Sequence, residues 1–335
     1  MATTHLPVHD SQRRRCRGVA AGVVATVLAL PVGPVLAHGG VSSPRPAWST
    51  LRTGWEFDPF FIVPAGLAIW AYLAAVRRVN RAHPASPVPR RRPVCFFAGM
   101  FALAVAIMSP LAFYDTDLFA VHMVQHILIA LVAAPLLAAA APITLALRVA
   151  SPRWRKDVLL PILHSRVVKA LSFPVVAWFL FAGVMWISHF SPLFNTALEN
   201  EWMHRFEHGL YLGSALLFFW PVLGADPTSW PMAYPIRILY VFLQMPQNSF
   251  LAVSIALANR VIFPHYETVS RSWGPSPKED QEWAGNIMWV VGDLCFLAVL
   301  VVLAIGWVAY EERATKRGDK ARAREKARLT AEAGV

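Results

Sequence analysis

The chain has 335 residues, of which 56% are hydrophobic and only 15% are charged. Several apolar runs reach the roughly 20 residues that a helix needs to cross a bilayer, which excludes an ordinary water-soluble protein. The formal charge of +11 comes from Lys and Arg in short blocks between apolar runs, so it indicates membrane topology and not nucleic-acid binding. Cys16, Cys95 and Cys295 form no CxxC or CxxxC pair, so His, Met or carboxylate side chains are expected to hold any metal.

The N-terminus has the pattern of a signal peptide. Within residues 1–37, a basic region is followed by an apolar run and by small residues that end at Ala37. Pro31 and Pro34 near the end of the run favour cleavage over a permanent span. The mature chain would then begin with an extracytoplasmic segment, residues 38–58.

Seven further apolar runs predict an all-α, polytopic membrane helix bundle. The seven transmembrane helices would occupy residues 59–309, and an uncleaved signal run would raise the number of apolar runs to eight. Residues 310–335 form a mostly basic tail that we expect to be cytoplasmic. The predicted spans are 59–76, 94–113, 118–147, 170–188, 204–223, 238–258 and 287–309.

The distribution of basic residues predicts the orientation of the bundle. Twenty-one Lys and Arg lie in one set of connections together with the tail, whereas six lie in the other set. Cytoplasmic connections carry the excess of Lys and Arg. We therefore expect a plasma (cell) membrane protein with its mature N-terminus outside and its C-terminus in the cytoplasm.

Two HxxxH pairs are the strongest candidate site in the sequence. On a helix, residues four apart share one face, so both imidazoles of a pair can point to the same place. The predicted topology puts both pairs and one further histidine at the outer ends of three consecutive spans, and imidazole is the commonest metal ligand. The sequence therefore predicts a metal site that is open to the outer face. Its expected ligands are His122, His126, His204 and His208, with His189 as an accessory ligand.

Carboxylates and thioethers lie near these pairs. Asp115 and Asp117 precede the first pair, and Glu201 lies three residues before the second. Asp117 and Glu201 are candidate metal residues, which would bind the ion or orient an imidazole through its second nitrogen. Met123 and Met203 flank the pairs, and thioethers suit reduced copper. A residue next to a histidine on a helix points about 100° away from it, which favours packing as the role of both methionines.

Two polar features inside the later spans are harder to interpret. Residues 244–248 contain Pro246, which removes a backbone donor and predicts a kink, with a substrate path as the alternative. Asp293 is costly at membrane depth and should face the bundle and pair with another group. His126 and Arg205 are possible partners, and the sequence does not decide between them.

Several short motifs occur in an order and spacing that one protein family shares. The motifs are His122-Met-Val-Gln-His126, Ala134-Pro-Leu136, Ala141-Pro142, Trp186-Ile-Ser-His189, residues 192–198, His204 with His208, residues 219–224, Phe263-Pro-His-Tyr266, and Asp280-Gln281 with Gly285. They resemble the multi-pass CtaG family of cytochrome c oxidase assembly factors, which is distinct from the single-span copper chaperone of the same name. The resemblance runs from about Asp58 to Trp289. Ala284 stands where a second glycine is expected.

The resemblance implies assembly of a haem-copper oxidase at the copper centre on its outer side, with an oxidase subunit as the partner. We expect no catalysis by this chain. Our interpretation is that the paired histidines handle copper and deliver it at the outer membrane face. Three alternatives stay open at this point: an intramembrane zinc hydrolase with HxxxH ligands, a histidine-ligated haem b protein, and a metal-free structural chaperone. The sequence predicts no oligomeric state.

Overall fold

The computed structural model describes residues 44–333, and every regular element in that range is helical. The predicted signal peptide and residues 38–43 lie outside the described residues. The helices are α1 Trp48–Thr53, α2 Pro59–Ala82, α3 Arg91–Met108, α4 Pro110–Tyr114, α5 Phe119–Ile127, α6 Ala134–Ala139, α7 Pro142–Val149, α8 Pro152–Trp154, α9 Leu160–Leu163, α10 Arg166–Leu171, α11 Pro174–His189, α12 Leu193–Glu199, α13 Glu201–Leu223, α14 Tyr234–Phe242, α15 Gln244–Ala256, α16 Pro264–Thr268 and α17 Pro277–Ala333, with π-helical segments at Leu128–Ala133 and Arg155–Leu159.

The predicted membrane helix bundle is confirmed, whereas the number of seven spans is not. Five helical stretches within residues 44–333 are long and apolar enough to cross a membrane. The number becomes six if α11 and α12, which meet at a bend of 67°, count as one span. Helix α13 is not among them, and it carries Arg205, Glu207 and both histidines of the second pair among its apolar residues.

The helix that carries the first histidine pair continues well beyond it. Helix α5 runs into the π-helical segment Leu128–Ala133 and then into α6, which has Pro135 in its first turn. Proline has no N–H, so the backbone before it loses one regular helical hydrogen bond. Single π-helical turns inside α-helices are frequent at functional sites. Here the π-helical turn begins two residues after His126.

The sixth apolar run is interrupted at one residue, and its polar side chains contact the long C-terminal helix. Helices α14 and α15 are interrupted at Leu243, three residues before Pro246. Asp293 accepts hydrogen bonds from Asn248 Nδ2 at 3.2 Å and from Ser249 Oγ at 2.7 Å. Its partners are therefore on α15, and neither His126 nor Arg205 is the partner suggested by the sequence.

The apolar core lies where α5, α11, α13, α15 and α17 meet. Phe181, Phe218 and Leu251 are fully buried there. Helices α15 and α17 approach closely at Gly285, where an added Cβ would lie 2.8 Å from the Ala252 carbonyl oxygen. Small residues allow such close approach of helices in membranes, where packing and not water exclusion drives helix association.

Replacing Gly285 with alanine is expected to destabilise the bundle. The new methyl group has no room beside Ala252, so α15 and α17 must separate, which costs about 1–3 kcal/mol. Thermal unfolding in detergent measures the loss. Gly183→Ala is the matched control, because its Cβ would meet no atom within 4 Å. Equal melting temperatures for the two variants would contradict the packing argument.

Candidate metal site

The five histidines singled out from the sequence converge at one end of the bundle. They are the fourth and eighth residues of α5 and of α13 and the last residue of α11. The two HxxxH pairs therefore face each other across the interior. The ring centroids are 4.2 Å apart for His122 and His126, 4.3 Å for His204 and His208, 5.3 Å for His122 and His204, 6.0 Å for His126 and His208, and 6.4 Å for His126 and His189.

A carboxylate that the sequence analysis did not single out lies beside the first pair. Glu207 Oε2 is 3.9 Å from Nε2 of His122 and 3.9 Å from Nε2 of His126, and the Glu207 side chain is fully buried. One ligand atom from each of these residues lies within 4.8 Å of the other two. A sequence pattern could have identified Glu207 as a site residue. It is an acid inside an apolar run, three residues after His204 and therefore on the same helix face.

A second set of ligand atoms lies beside the first and shares one histidine with it. Asp115, in the turn between α4 and α5, has Oδ2 3.8 Å from Nε2 of His204. These two residues and His122 place one ligand atom each within 4.8 Å of one another. Burial raises the pKa of Asp115 to about 8. Two carboxylates thus reach the histidines, one from the turn and one from α13.

The two carboxylates predicted from the sequence are not the ones that belong to these sets. Asp117 is buried, but among residues 44–333 it belongs to neither set of ligand atoms. The Glu201 carboxylate pairs with Arg205 one helical turn away and belongs to neither set. Arg205 also lies 3.3 Å from Asp58 Oδ1, so it draws Glu201 to the rim of the bundle. Sequence spacing alone does not show which acid faces the interior.

Hydrogen bonds orient two of the histidines. His189 Nδ1 lies 2.7 Å from the Met185 carbonyl oxygen, which requires a proton on Nδ1 and leaves the Nε2 lone pair available. Gln125 Nε2 donates to the Ala106 carbonyl at 2.9 Å, which turns Oε1 toward His208 Nε2 at 3.1 Å. His208 therefore donates through Nε2 and keeps its Nδ1 lone pair. Gln125, the middle polar residue of the first motif, thus has a positioning role.

The expectation of an open site is wrong, because the histidines are buried beneath aromatic side chains. His122 is 0% exposed and His126 is 4% exposed, while the side chain of His204 retains 15%. Helix α12 leaves α11 at a bend of 67° and places the Phe194 ring centroid 4.8 Å from that of His122. The Phe263 ring packs against Phe194 with the ring centroids 4.3 Å apart. This aromatic cover could not be predicted from sequence patterns, because it depends on the bend between α11 and α12.

Residues from the segment between α15 and α17 fix the turn that carries Asp115. Tyr266 donates its hydroxyl to the Asp115 carbonyl at 2.9 Å, and His265 Nε2 lies 3.0 Å from the Thr116 carbonyl. Asp280, on α17, accepts from the backbone N–H groups of Phe119 at 2.7 Å and of Ala120 at 3.2 Å. It therefore caps the start of α5, three residues before the first histidine.

The polar atoms at the centre of the cluster lack hydrogen-bond partners. Within residues 44–333, this holds for both ring nitrogens of His122 and His126, for Nε2 of His189 and His204, and for both carboxylate oxygens of Glu207. Each unpaired buried polar group costs about 1–3 kcal/mol. Bonds of 2.0–2.2 Å to a tetrahedral ion place two ligand atoms about 3.4 Å apart, so the observed 3.9 Å needs only a small shift. The atoms therefore fit a metal ion.

Glu207→Gln is expected to raise the melting temperature of the metal-free protein. The amide is uncharged, and its NH₂ group can donate to an imidazole nitrogen that accepts no hydrogen bond here. The gain should be about 1 kcal/mol, measured by thermal unfolding after chelation. Glu267→Gln, at an exposed position, is the control and should change nothing. A lower melting temperature for Glu207→Gln would show that the carboxyl group is satisfied in the metal-free fold.

Comparison with known proteins supports the family suggested by the motifs. The family model described as cytochrome c oxidase caa3 assembly factor (Caa3_CtaG) matches residues 70–309. The chain belongs to this family. The match includes α5, α11 and α13, and with them all five histidines of the site. The buried site of this CtaG protein therefore lies wholly within the part of the chain that the family model matches.

The curated relatives are similar in sequence, and their names state no activity. An uncharacterized protein of Mycobacterium bovis and one of Mycobacterium tuberculosis are each 30% identical over 282 residues, which cover 82% of this chain and 42% of the relative. An uncharacterized protein of Mycobacterium leprae is 30% identical over 275 residues, covering 80% and 41%. The chain thus spans about two fifths of the length of the curated relatives it matches. No solved structure is significantly similar to it.

Proposed function

We propose that this CtaG protein binds a copper ion between α5 and α13 and passes it to a subunit of a haem-copper oxidase. The convergence of His122, His126 and Glu207, whose facing ring nitrogens and carboxylate oxygens lack hydrogen-bond partners within residues 44–333, carries this proposal. Copper is the cargo in this scheme, and the protein returns to the metal-free state after each transfer. The role is assembly and not catalysis.

The chemistry of the donor atoms supports an ion of intermediate softness. Imidazole nitrogen and carboxylate oxygen suit Cu(II) and Zn(II), whereas thiolate and thioether ligands favour Cu(I). Met123 is buried in the apolar core, which supports packing as its role. The family's connection with cytochrome c oxidase favours copper over zinc as the ion.

The geometry of α17 supports an outward-facing site. Asp280, near the start of this helix, contacts the beginning of α5 at the histidine end. Arg313, where the basic part of the helix begins, lies 33 residues further on, which is about 50 Å along a helix. The basic end is therefore at the opposite end from the histidines. With the basic end in the cytoplasm, the histidines face the compartment outside the cell membrane.

The metal content and absorption spectrum of the purified full-length chain test the proposal. We expect copper in a ratio near one ion per chain, with a ligand-field band in the visible range. Zinc in its place, together with hydrolysis of lipid amides, would favour the hydrolase alternative, and a Soret band would favour haem b. A chain that binds none of these after incubation with each would favour the metal-free structural chaperone.

A further inference from the structure

Two sets of ligand atoms overlap at one histidine. The deep position consists of His122, His126 and Glu207, and the turn-side position consists of His122, His204 and Asp115. Each position offers two imidazoles and one carboxylate. The His122 ring lies 4.2 Å from that of His126 on one side and 5.3 Å from that of His204 on the other.

The two positions differ in depth. His204 has the most exposed side chain of the two sets at 15%, whereas His122 and Glu207 have none of their side-chain surface exposed. Asp115 belongs to the turn that ends the preceding helix, so its position lies nearer the end of the bundle. His126 is one helical turn further along α5, which is about 6 Å.

The geometry points to a two-step path in which one metal ion first binds at the turn-side position and then moves to the deep position. This inference rests on the proposed function. His122 stays bound throughout, and the bonds to Asp115 and His204 are exchanged for bonds to Glu207 and His126. Two bonds break and two form, with no change in oxidation state. Because each position has one carboxylate, the formal charge of the ion with its ligands is the same at both ends.

The shared histidine also sets the stoichiometry. In this path His122 stays bound to the same ion at both positions, so only one position is filled at a time. A protein with such a path holds one ion per chain, and ions enter and leave through His204 and Asp115. Phe194 lies against the His122 ring and Phe263 lies against Phe194, so this aromatic cover closes the site on that side of His122.

The test compares copper binding and release in two double variants of the full-length chain in detergent. The turn-side variant carries Asp115→Asn and His204→Gln, and the deep variant carries His126→Gln and Glu207→Gln. Cu(II) is added, its stoichiometry is measured, and its removal by EDTA is followed by stopped-flow absorbance. The control is His164→Gln, an exposed histidine that bonds the Leu160 carbonyl on another part of the chain.

The two double variants should change different properties of copper binding, namely the rates in one and the affinity in the other. The turn-side variant should still bind one copper ion per chain, with loading and removal slowed at least 10-fold. The deep variant should lose about 10–100-fold in affinity and release copper faster than the unmodified chain. Size-exclusion elution and the melting temperature verify folding. Asp115→Asn alone replaces the turn-side double variant if the latter does not fold, and it should show the same slowing to a smaller extent.

Three results would overturn this path. They are two copper ions per chain, turn-side variants that load and release at the unmodified rate, and equal loss of affinity in both double variants. An unmodified chain that binds no copper would instead refute the proposed function itself. Failure of the path alone leaves copper binding in the unmodified chain intact, so the two failures are distinguishable.

Discussion

A chain carrying His122→Ala and His126→Ala is expected to lose its bound copper and to leave the oxidase without copper. The substitutions remove two of the three ligands at the deep position and also the ligand shared with the turn-side position. The remaining carboxylate and imidazoles do not form a complete set. Changes to groups that only orient a ligand cost about 10–100-fold in affinity, so removal of two ligands should cost more than about 100-fold. Metal analysis of the purified variant measures this directly.

The consequence for the oxidase is measured in cells that produce the variant as their only copy. The oxidase should be made and inserted, but its copper content and its activity should fall to the level of cells that lack the protein. His164→Ala is the control, because this exposed histidine lies outside the cluster. Full oxidase activity in the double variant, at normal protein levels, would exclude copper delivery through this site. It would favour the structural chaperone.

Asp280→Ala is expected to destabilise the bundle by about 3 kcal/mol and to weaken metal binding, although residue 280 is not a ligand. The Asp280 carboxylate caps α5 through Phe119 and Ala120, and Leu118 at the N-cap position has an apolar side chain that cannot replace it. The substitution also leaves Arg271, whose side chain is 4% exposed, without the carboxylate 3.7 Å away. Breaking a buried charge pair by removing one partner is strongly destabilising.

Asp226→Ala separates the effect on metal binding from the effect on stability. Asp226 caps α7 in the same way, by accepting from the N–H groups of Ile143 at 3.0 Å and Thr144 at 2.5 Å, but it lies away from the histidines. This variant should lose about 1–2 kcal/mol and keep its copper affinity. If Asp280→Ala has a lower melting temperature yet binds copper as tightly as the unmodified chain, the Asp280 cap does not position His122.

The sequence predicted much of the fold because the signals involved are local. Apolar runs and HxxxH spacing depend only on neighbours along the chain, and the family motifs agreed with both. The choice among carboxylates was different. Asp115, Asp117 and Glu201 lie seven, five and three residues before a histidine pair, and these spacings do not show which carboxylate faces the histidines. The orientation of the turn and the Arg205 ion pair decide it.

By itself, the sequence determined an all-helical membrane protein of the CtaG family with two histidine pairs on helices, since composition and periodicity specify these. Only the tertiary structure decided that Glu207 meets His122 and His126 and that Phe194 covers them. The physical reason is that these contacts join helices far apart in sequence. They depend on the bend between α11 and α12 and on the orientation of α13 about its own axis relative to α5. Packing of the whole bundle sets both.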